Sequence, residues 1–322
     1  MKAAIGRILG VLSLILLSAS AVRAQTGTVS LLVGYAAGGS ADFVARIMAS
    51  ELSTQLGRTV IVENAAGASG MIALQRLVNA PADGNAIYFG GFDTVTVPMV
   101  NPKVKIDWRR DIVPVGRTTT MPMVWVVPND APYQDLGGLI AAAKEEPGGI
   151  SYGTPGVATA QRFLGEIVSS RGGVELLQVP YRGGAQIMTD LIGGNLNSAV
   201  AVLSTALPYV REGQVRALAI FDAARSPQLP DVPAASDTAG FEGVSLPLWQ
   251  GIFVKTGTPQ AFVDQLDAAI KAALASPEAQ KRLSEAGFTA APLGPSEFAS
   301  FIEGEARTYE QIIKAANITA DQ

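Results

Sequence analysis

The stretch that decides the fold is residues 29–49, VSLLVGYAAGGSADFVARIMA. Its apolar start predicts a buried strand, which runs into a glycine-rich turn at residues 34–40. Apolar side chains then recur at helical spacing and predict a helix, at Phe43, Val44, Ile47 and Met48. Gly38 and Gly39 let a ligand approach the main chain, and Ser40 is a candidate helix cap. Because the start of a helix favours negative charge, the stretch predicts a site for a small anion. Taken alone, it also fits an ordinary turn.

The amino terminus has the features of a secretory signal peptide. Lys2 and Arg7 precede an apolar run at residues 8–17, and the segment ends in Val-Arg-Ala at residues 22–24. The run is shorter than the roughly 20 residues that a membrane helix needs. We therefore expect residues 1–24 to be removed after Ala24 and the mature protein to act in the periplasm. An uncleaved membrane anchor is the alternative.

The composition excludes several classes of function. The full chain has a net charge of −4, and the predicted signal peptide contains basic but no acidic residues, so the mature chain is more acidic still. An acidic chain without a basic block is a poor nucleic-acid binder. The absence of His and Cys removes the usual general base, the usual metal ligands and thiolate chemistry. We expect no catalytic residue, no cofactor and no metal, although an enzyme using Asp93 or Asp190 as base is a second possibility.

The order of strand, small-residue loop and helix start is repeated along the chain. It recurs at residues 64–70, 153–159 and 182–185, after strands predicted at 59–63, 150–152 and 176–181. In parallel sheets such loops meet at one edge and form a ligand crevice. Another loop, Phe92-Asp93-Thr94, follows a strand predicted at 87–91. There Asp93 either caps the following turn or lines the crevice.

The order of these elements predicts a two-lobe α/β fold, with a mixed sheet flanked by helices in each lobe. The apolar strand at 123–127 leaves the first lobe, and the strand at 249–254 returns to it. The predicted first lobe is therefore discontinuous, at residues 25–122 plus 249–322, and the second lobe is 123–248. Amphipathic helices at 262–274 and 298–313 complete the first lobe. The two crossing strands would form a hinge.

Six segments together resemble the extracytoplasmic receptors of tripartite tricarboxylate transporters, also called Bug or TctC-type proteins. They are VGYAAGGSADFVARIMASEL, VIVENAAGASGMIA, PADGNAIYFG, ISYGTPGVATAQ, VPYRGGAQIMTDLIGG and RSPQLPDVPAASDTAGFEG, in this order along the chain. The resemblance implies a type II-like periplasmic binding protein, a monomer, that closes on a small carboxylate and delivers it to membrane transporter subunits. A receptor for a signalling partner has the same architecture and stays an alternative.

The resemblance also implies which residues contact the ligand, mostly through main-chain amides and bridging waters. In the first lobe they are Tyr35, Gly38, Gly39, Ser40, Ala68, Ser69, Asp93 and Thr94. In the second lobe they are Thr154, Ala158, Thr159, Arg182, Gly184 and Asp190. Arg182 either pairs with a second ligand carboxylate or lies at the surface beside its turn.

One segment departs from the family pattern. Asn197 and Ala201 stand where family members usually have acids, which predicts a more apolar wall. With Tyr35, Phe92 and Trp249 placed near the opening, this favours a ligand with one carboxylate and an apolar or aromatic body.

Overall fold

The protein is built on two mixed β-sheets, seen in a computed structural model that describes residues 27–156, 159–181, 183–222, 224–316 and 318–319. The first sheet has the strand order β11-β4-β10-β3-β1-β2, and the second has the order β7-β6-β8-β5-β9. The strands of the first sheet are β1 Val29–Val33, β2 Val60–Asn64, β3 Ala86–Gly91, β4 Ile112–Met121, β10 Leu248–Lys255 and β11 Thr289–Leu293. Those of the second are β5 Met123–Pro128, β6 Ser151–Thr154, β7 Leu177–Pro180, β8 Ser198–Val202 and β9 Val215–Phe221.

Helices flank both sheets. In chain order they are α1 Ser40–Leu56, α2 Met71–Asn79, α3 Phe92–Val100, α4 Trp108–Asp111, α5 Leu136–Glu145, α6 Ala160–Gly172, α7 Gly184–Ile192, α8 Leu203–Arg211, α9 Gln260–Ala275, α10 Pro277–Glu285 and α11 Pro295–Ala316. Within the described ranges, each helix is too short or too polar to cross a lipid bilayer. The predicted signal peptide, residues 1–24, lies outside the described residues.

Parallel pairing brings the ends of the key strands together. β1 pairs in parallel with β2, with Val33 opposite Asn64, and in parallel with β3, with Val33 opposite Phe89. In the second sheet β6 is parallel to both β7 and β8. The loops after these strands therefore lie at one edge of each sheet, as the sequence predicts.

Several elements were not predicted from the sequence. The most central is β4, which pairs antiparallel with β10 on one side and with β11 on the other. Its sequence contains Pro114 and Gly116, both unfavourable in strands, and its pairing with β10 has two register shifts. Pairing on both sides outweighs these poor local propensities. The structure also has α3 where the sequence predicted only a turn, and α8 directly after β8.

The chain passes between the two sheets twice. β4 ends at Met121 and β5 begins at Met123, so Pro122 joins one sheet to the other. The return runs from β9 through residues 222–247 into β10. Helices of the two sheets also touch, because the ring of Phe163 on α6 lies 5.1 Å from Phe92 on α3 and 5.9 Å from Tyr309 on α11. The predicted lobe boundaries stay a prediction.

Candidate functional site

A cavity of about 410 Å³ lies between the two sheets. The first sheet and its loops contribute Tyr35, Gly39, Ser40, Ala41, Ser69, Phe89, Gly90, Gly91, Phe92, Asp93, Leu248, Trp249 and Gln250. The second contributes Pro155, Thr159, Ala160, Gln161, Gly183, Gly184, Ile187, Val200, Ala201, Val202 and Thr205. Most of these side chains are apolar, and Ala201 belongs to the wall that the sequence predicted to be apolar. The size is typical of a site for a small metabolite.

Four helices begin at this cavity. Their first residues line it: Ser40 and Ala41 of α1, Phe92 and Asp93 of α3, Ala160 and Gln161 of α6, and Gly184 of α7. The first N–H groups of a helix have no carbonyl partner within it. In α1 and α6, backbone bonding back to the capping residue starts only at Phe43 and Phe163, whose N–H groups donate to Gly39 and Thr159 at 2.9 and 3.1 Å. Four positive helix ends thus face one small space, which favours an anion.

Asp42 fixes the shape of the first glycine-rich loop. Its buried carboxylate accepts hydrogen bonds from the Gly38 amide at 2.9 Å, Arg46 Nε at 2.8 Å and Asn64 Nδ2 at 3.0 Å. The bond from Arg46 is the main reason that the Asp42 pKa is lowered to about 2. The Gly38 amide is therefore hydrogen-bonded within the loop, and Gly38 does not line the cavity. Ser40 is the first helical residue after Gly39, not the side-chain cap that the sequence suggested.

The second loop packs directly on the first. A Cβ atom at Gly34 would lie 2.3 Å from the Gly70 Cα atom, so only glycine fits there. Ala68 and Ser69 have positive φ angles of 48° and 51°, a conformation that costs energy for residues with a side chain. Ser69 lines the cavity, whereas Ala68 is exposed outside it. Strain of this kind is typical of a loop held for function.

The third loop gives Asp93 and Thr94 different roles. Asp93 is the second residue of α3, lines the cavity and makes no hydrogen bond to any described residue. Burial raises its pKa to about 7. Thr94 is buried behind it, where its hydroxyl accepts from the Gly91 amide at 3.1 Å and donates to Tyr88 Oη at 3.4 Å. Of the two predicted roles for Asp93, the structure supports lining the cavity.

The second sheet contributes Thr159 and Gly184, but Thr154 and Asp190 point elsewhere. Thr159 caps α6, accepting from the Arg162 amide at 3.4 Å, and lines the cavity. Thr154 is fully buried, donates to the Gly156 carbonyl at 3.0 Å and accepts from Gln178 Nε2 at 2.7 Å. Both are protein contacts, so its hydroxyl is engaged in the wall of the site.

The remaining predicted residues divide into three groups. Asp190 accepts a hydrogen bond from Tyr181 Oη at 2.9 Å and does not line the cavity. Ala158 and Arg182 lie outside the described residues. Of the three aromatic residues predicted near the opening, Tyr35 is 39% exposed, whereas Phe92 and Trp249 are buried at the base of the cavity.

Gln250 is a cavity-lining residue that was not predicted from the sequence. It lines the cavity from β10, and Thr119 donates to its Oε1 atom at 3.0 Å. Its Nε2 group has no partner among the described residues and can donate to a ligand. A lone polar residue inside the apolar run WQGIFV was the available signal. Among the described residues, no three acidic side chains lie together in a group that could hold a metal ion.

The family described as tripartite tricarboxylate transporter family receptor matches residues 44–318. The chain belongs to this family. Among its relatives, the UPF0065 protein in the tcbD-tcbE intergenic region of Pseudomonas sp. strain P51 is 32% identical, over 95% of this chain and 93% of its own length. The resemblance seen in the six sequence segments is thereby confirmed.

Solved structures of similar proteins confirm the two-lobe α/β fold of the receptor family. The structure of R. palustris Rpa4515 with adipate has a TM-score of 0.82 at 28% identity, and the match covers 92% of this chain and 99% of that protein. The periplasmic binding protein BugD has a TM-score of 0.78 at 28% identity and covers 91% of this chain and 98% of its own. The cavity described above thus belongs to a receptor fold.

Proposed function

We propose that this receptor binds a small organic acid in the cavity between its sheets and delivers it to the membrane subunits of a tripartite transporter. It acts as a monomer in the periplasm, to which residues 1–24 direct it, and it has no catalytic activity. The observation that carries the proposal is the convergence of four helix starts on a space of about 410 Å³. The adipate in the Rpa4515 structure, a carboxylate bound to a protein of the same fold, supports it.

The ligand carboxylate is held by main-chain amides in this proposal. The described lining residues include no Lys or Arg, so the positive potential comes from the helix starts. The amides of Ser40 and Ala41 are the donors nearest to the glycine-rich loop that the sequence singled out. Gln250 Nε2 adds a side-chain donor.

The body of the ligand is apolar or aromatic in this proposal. Val200, Ala201 and Val202 form one wall, and Leu248 and Phe89 belong to the opposite sheet. Such walls favour a ligand with a hydrocarbon body over one that carries further polar groups along its length.

Closure of two lobes completes the site. The proposed lobes are residues 25–122 plus 249–322 and residues 123–248, which meet at Pro122 and at the entry to β10. Each lobe alone presents half of the lining residues. A ligand that touches both halves therefore stabilises the closed form.

A thermal-shift screen of residues 25–322 tests the proposal, with monocarboxylates, dicarboxylates, aromatic acids, amino acids and the neutral amide of each acid. A ligand at 100 times its Kd adds about 2.7 kcal/mol to the free energy of unfolding, which visibly raises Tm. We expect a shift from at least one acid and none from its amide. A shift from neutral compounds alone, or from no compound, would contradict the proposal.

A further inference from the structure

Asp93 is an unusual residue for a cavity that binds anions. It carries the one carboxyl group among the described lining residues, which contain no Lys or Arg. Its carboxyl group makes no hydrogen bond or ion pair with any described residue, whereas the Asp42 carboxylate in the first loop has three donors. The carboxylate of Asp93 is therefore free to meet a ligand.

Among the described residues, no Lys or Arg side chain contacts Asp93, and its positive neighbour is the start of its own helix, α3. Tyr309 of α11 lies behind it, accepts a hydrogen bond from Trp249 Nε1 at 3.0 Å and donates to Glu305. Burial, with smaller contributions from the charges of Glu305 and Asp93, raises the pKa of Tyr309 well above its usual value, so Tyr309 stays neutral. Glu305, whose pKa burial raises, has Arg117 near it, but that guanidinium bonds to the Ala291 carbonyl at 2.8 Å. From the first loop, the other ionisable side chain lining the cavity is Tyr35.

A ligand that fills the cavity removes water from Asp93. A desolvated carboxylate without a donor is unfavourable, so it must either bind a cationic donor or take up a proton. A second ligand carboxylate beside it would bring two negative charges together. An ammonium group would give each charge in the closed site an opposite partner: ligand carboxylate at the helix starts, ligand ammonium at Asp93.

We propose that Asp93 determines the specificity of this receptor by binding an ammonium group of the ligand, so that the substrate class is an ammonium carboxylate with an apolar body. This inference rests on the proposed function. It implies that the receptor discriminates against the dicarboxylate of the same carbon skeleton.

Titration calorimetry on matched compounds tests it. One set is 6-aminohexanoate, hexanoate and adipate, and four- and five-carbon sets cover shorter distances between the two ends. At pH 8 we expect the ammonium compound of the best-fitting set to bind at least about tenfold more tightly than the dicarboxylate, as a charge-assisted hydrogen bond implies. Asp93→Asn, which keeps the size of the side chain, should abolish that preference without weakening the binding of the monocarboxylate.

The pH dependence gives an independent readout. Burial raises the Asp93 pKa to about 7, so an ammonium ligand must displace a proton from Asp93 below that pH. Its Kd should therefore rise by up to about tenfold for each pH unit that the pH falls below 7. A ligand that binds protonated Asp93 would show the opposite slope. Glu305→Gln is the control, because that carboxyl lies behind Tyr309, and it should keep the slope that Asp93→Asn removes.

Tighter binding of the dicarboxylate at pH 8, or the same order of affinities in Asp93→Asn, would overturn the inference while leaving the proposed function intact. Absence of binding by every acid tested in this series and in the thermal-shift screen would instead overturn the proposed function, and this inference with it.

Discussion

At the scale of single residues, Asp42 holds the anion-binding loop in shape. Replacing it by Ala removes the acceptor of the Gly38 amide and of Asn64, so we expect Asp42→Ala to lower the free energy of unfolding by about 1–3 kcal/mol and to weaken ligand binding. Arg46→Ala is the matched control: its side chain is 54% exposed, and the loss should stay below about 1 kcal/mol. Chemical denaturation measures both. Equal losses of stability in the two variants would show that Asp42 stabilises the protein through its ion pair with Arg46 and not through the loop.

The lowered pKa of Asp42 also gives a pH dependence with a definite sign. The carboxylate is stabilised when folded, so its contribution is present above about pH 4 and disappears as the pH falls towards 2. We expect the stability difference between the wild type and Asp42→Asn to shrink over that interval. A difference that stays constant down to pH 2 would contradict the assignment.

Thr154 is the residue whose predicted role changes most. Its hydroxyl is engaged with Gly156 and Gln178, so Thr154→Val should lower the free energy of unfolding by about 1–3 kcal/mol. We expect the folded variant to bind ligand nearly as tightly as the wild type. Thermal unfolding and calorimetry separate the two effects, and lost affinity at unchanged stability would return Thr154 to the binding site.

At the scale of elements, the start of α1 allows a test of whether main-chain amides bind the ligand carboxylate. Ser40 is the first helical residue, a position that accepts proline, and the extended Gly39 before it, with ψ of 172°, is compatible with a following proline. Ser40→Pro removes an amide donor, whereas Ser40→Ala removes only the hydroxyl group. We expect Ser40→Pro to raise Kd about 10- to 100-fold by calorimetry, as loss of a hydrogen bond to a charged group implies. Identical affinities for the two variants would exclude the Ser40 amide as a donor.

The elements also show how far the sequence could lead. Regular apolar stripes predicted α1 and α11 to within a few residues, and the parallel strands before the glycine-rich loops were correctly predicted. β4 could not be predicted, because its stability depends on distant partners, β10 and β11, and not on its own residues. The sequence predicted where the loops lie, but not whether each threonine hydroxyl points into the cavity or into the protein interior. Thr94 and Thr154 face inward and Thr159 lines the cavity, although all three follow similar small-residue patterns.

At the scale of the whole molecule, we expect the two lobes to move when ligand binds. If the ligand touches lining residues from both sheets, binding should shift the population towards a more closed form. We expect the radius of gyration from small-angle X-ray scattering to fall on addition of the best acid from the screen and to stay unchanged with its neutral amide. An unchanged radius at saturating acid would mean that the site is already closed without ligand.

The most direct test of the central claim is a crystal structure with that acid bound. We expect the ligand in the cavity between the sheets, with carboxylate oxygens about 2.7–3.2 Å from the amide nitrogens of Ser40 or Ala41. A ligand bound outside this cavity, or a carboxylate held only by a side-chain cation away from the helix starts, would contradict it.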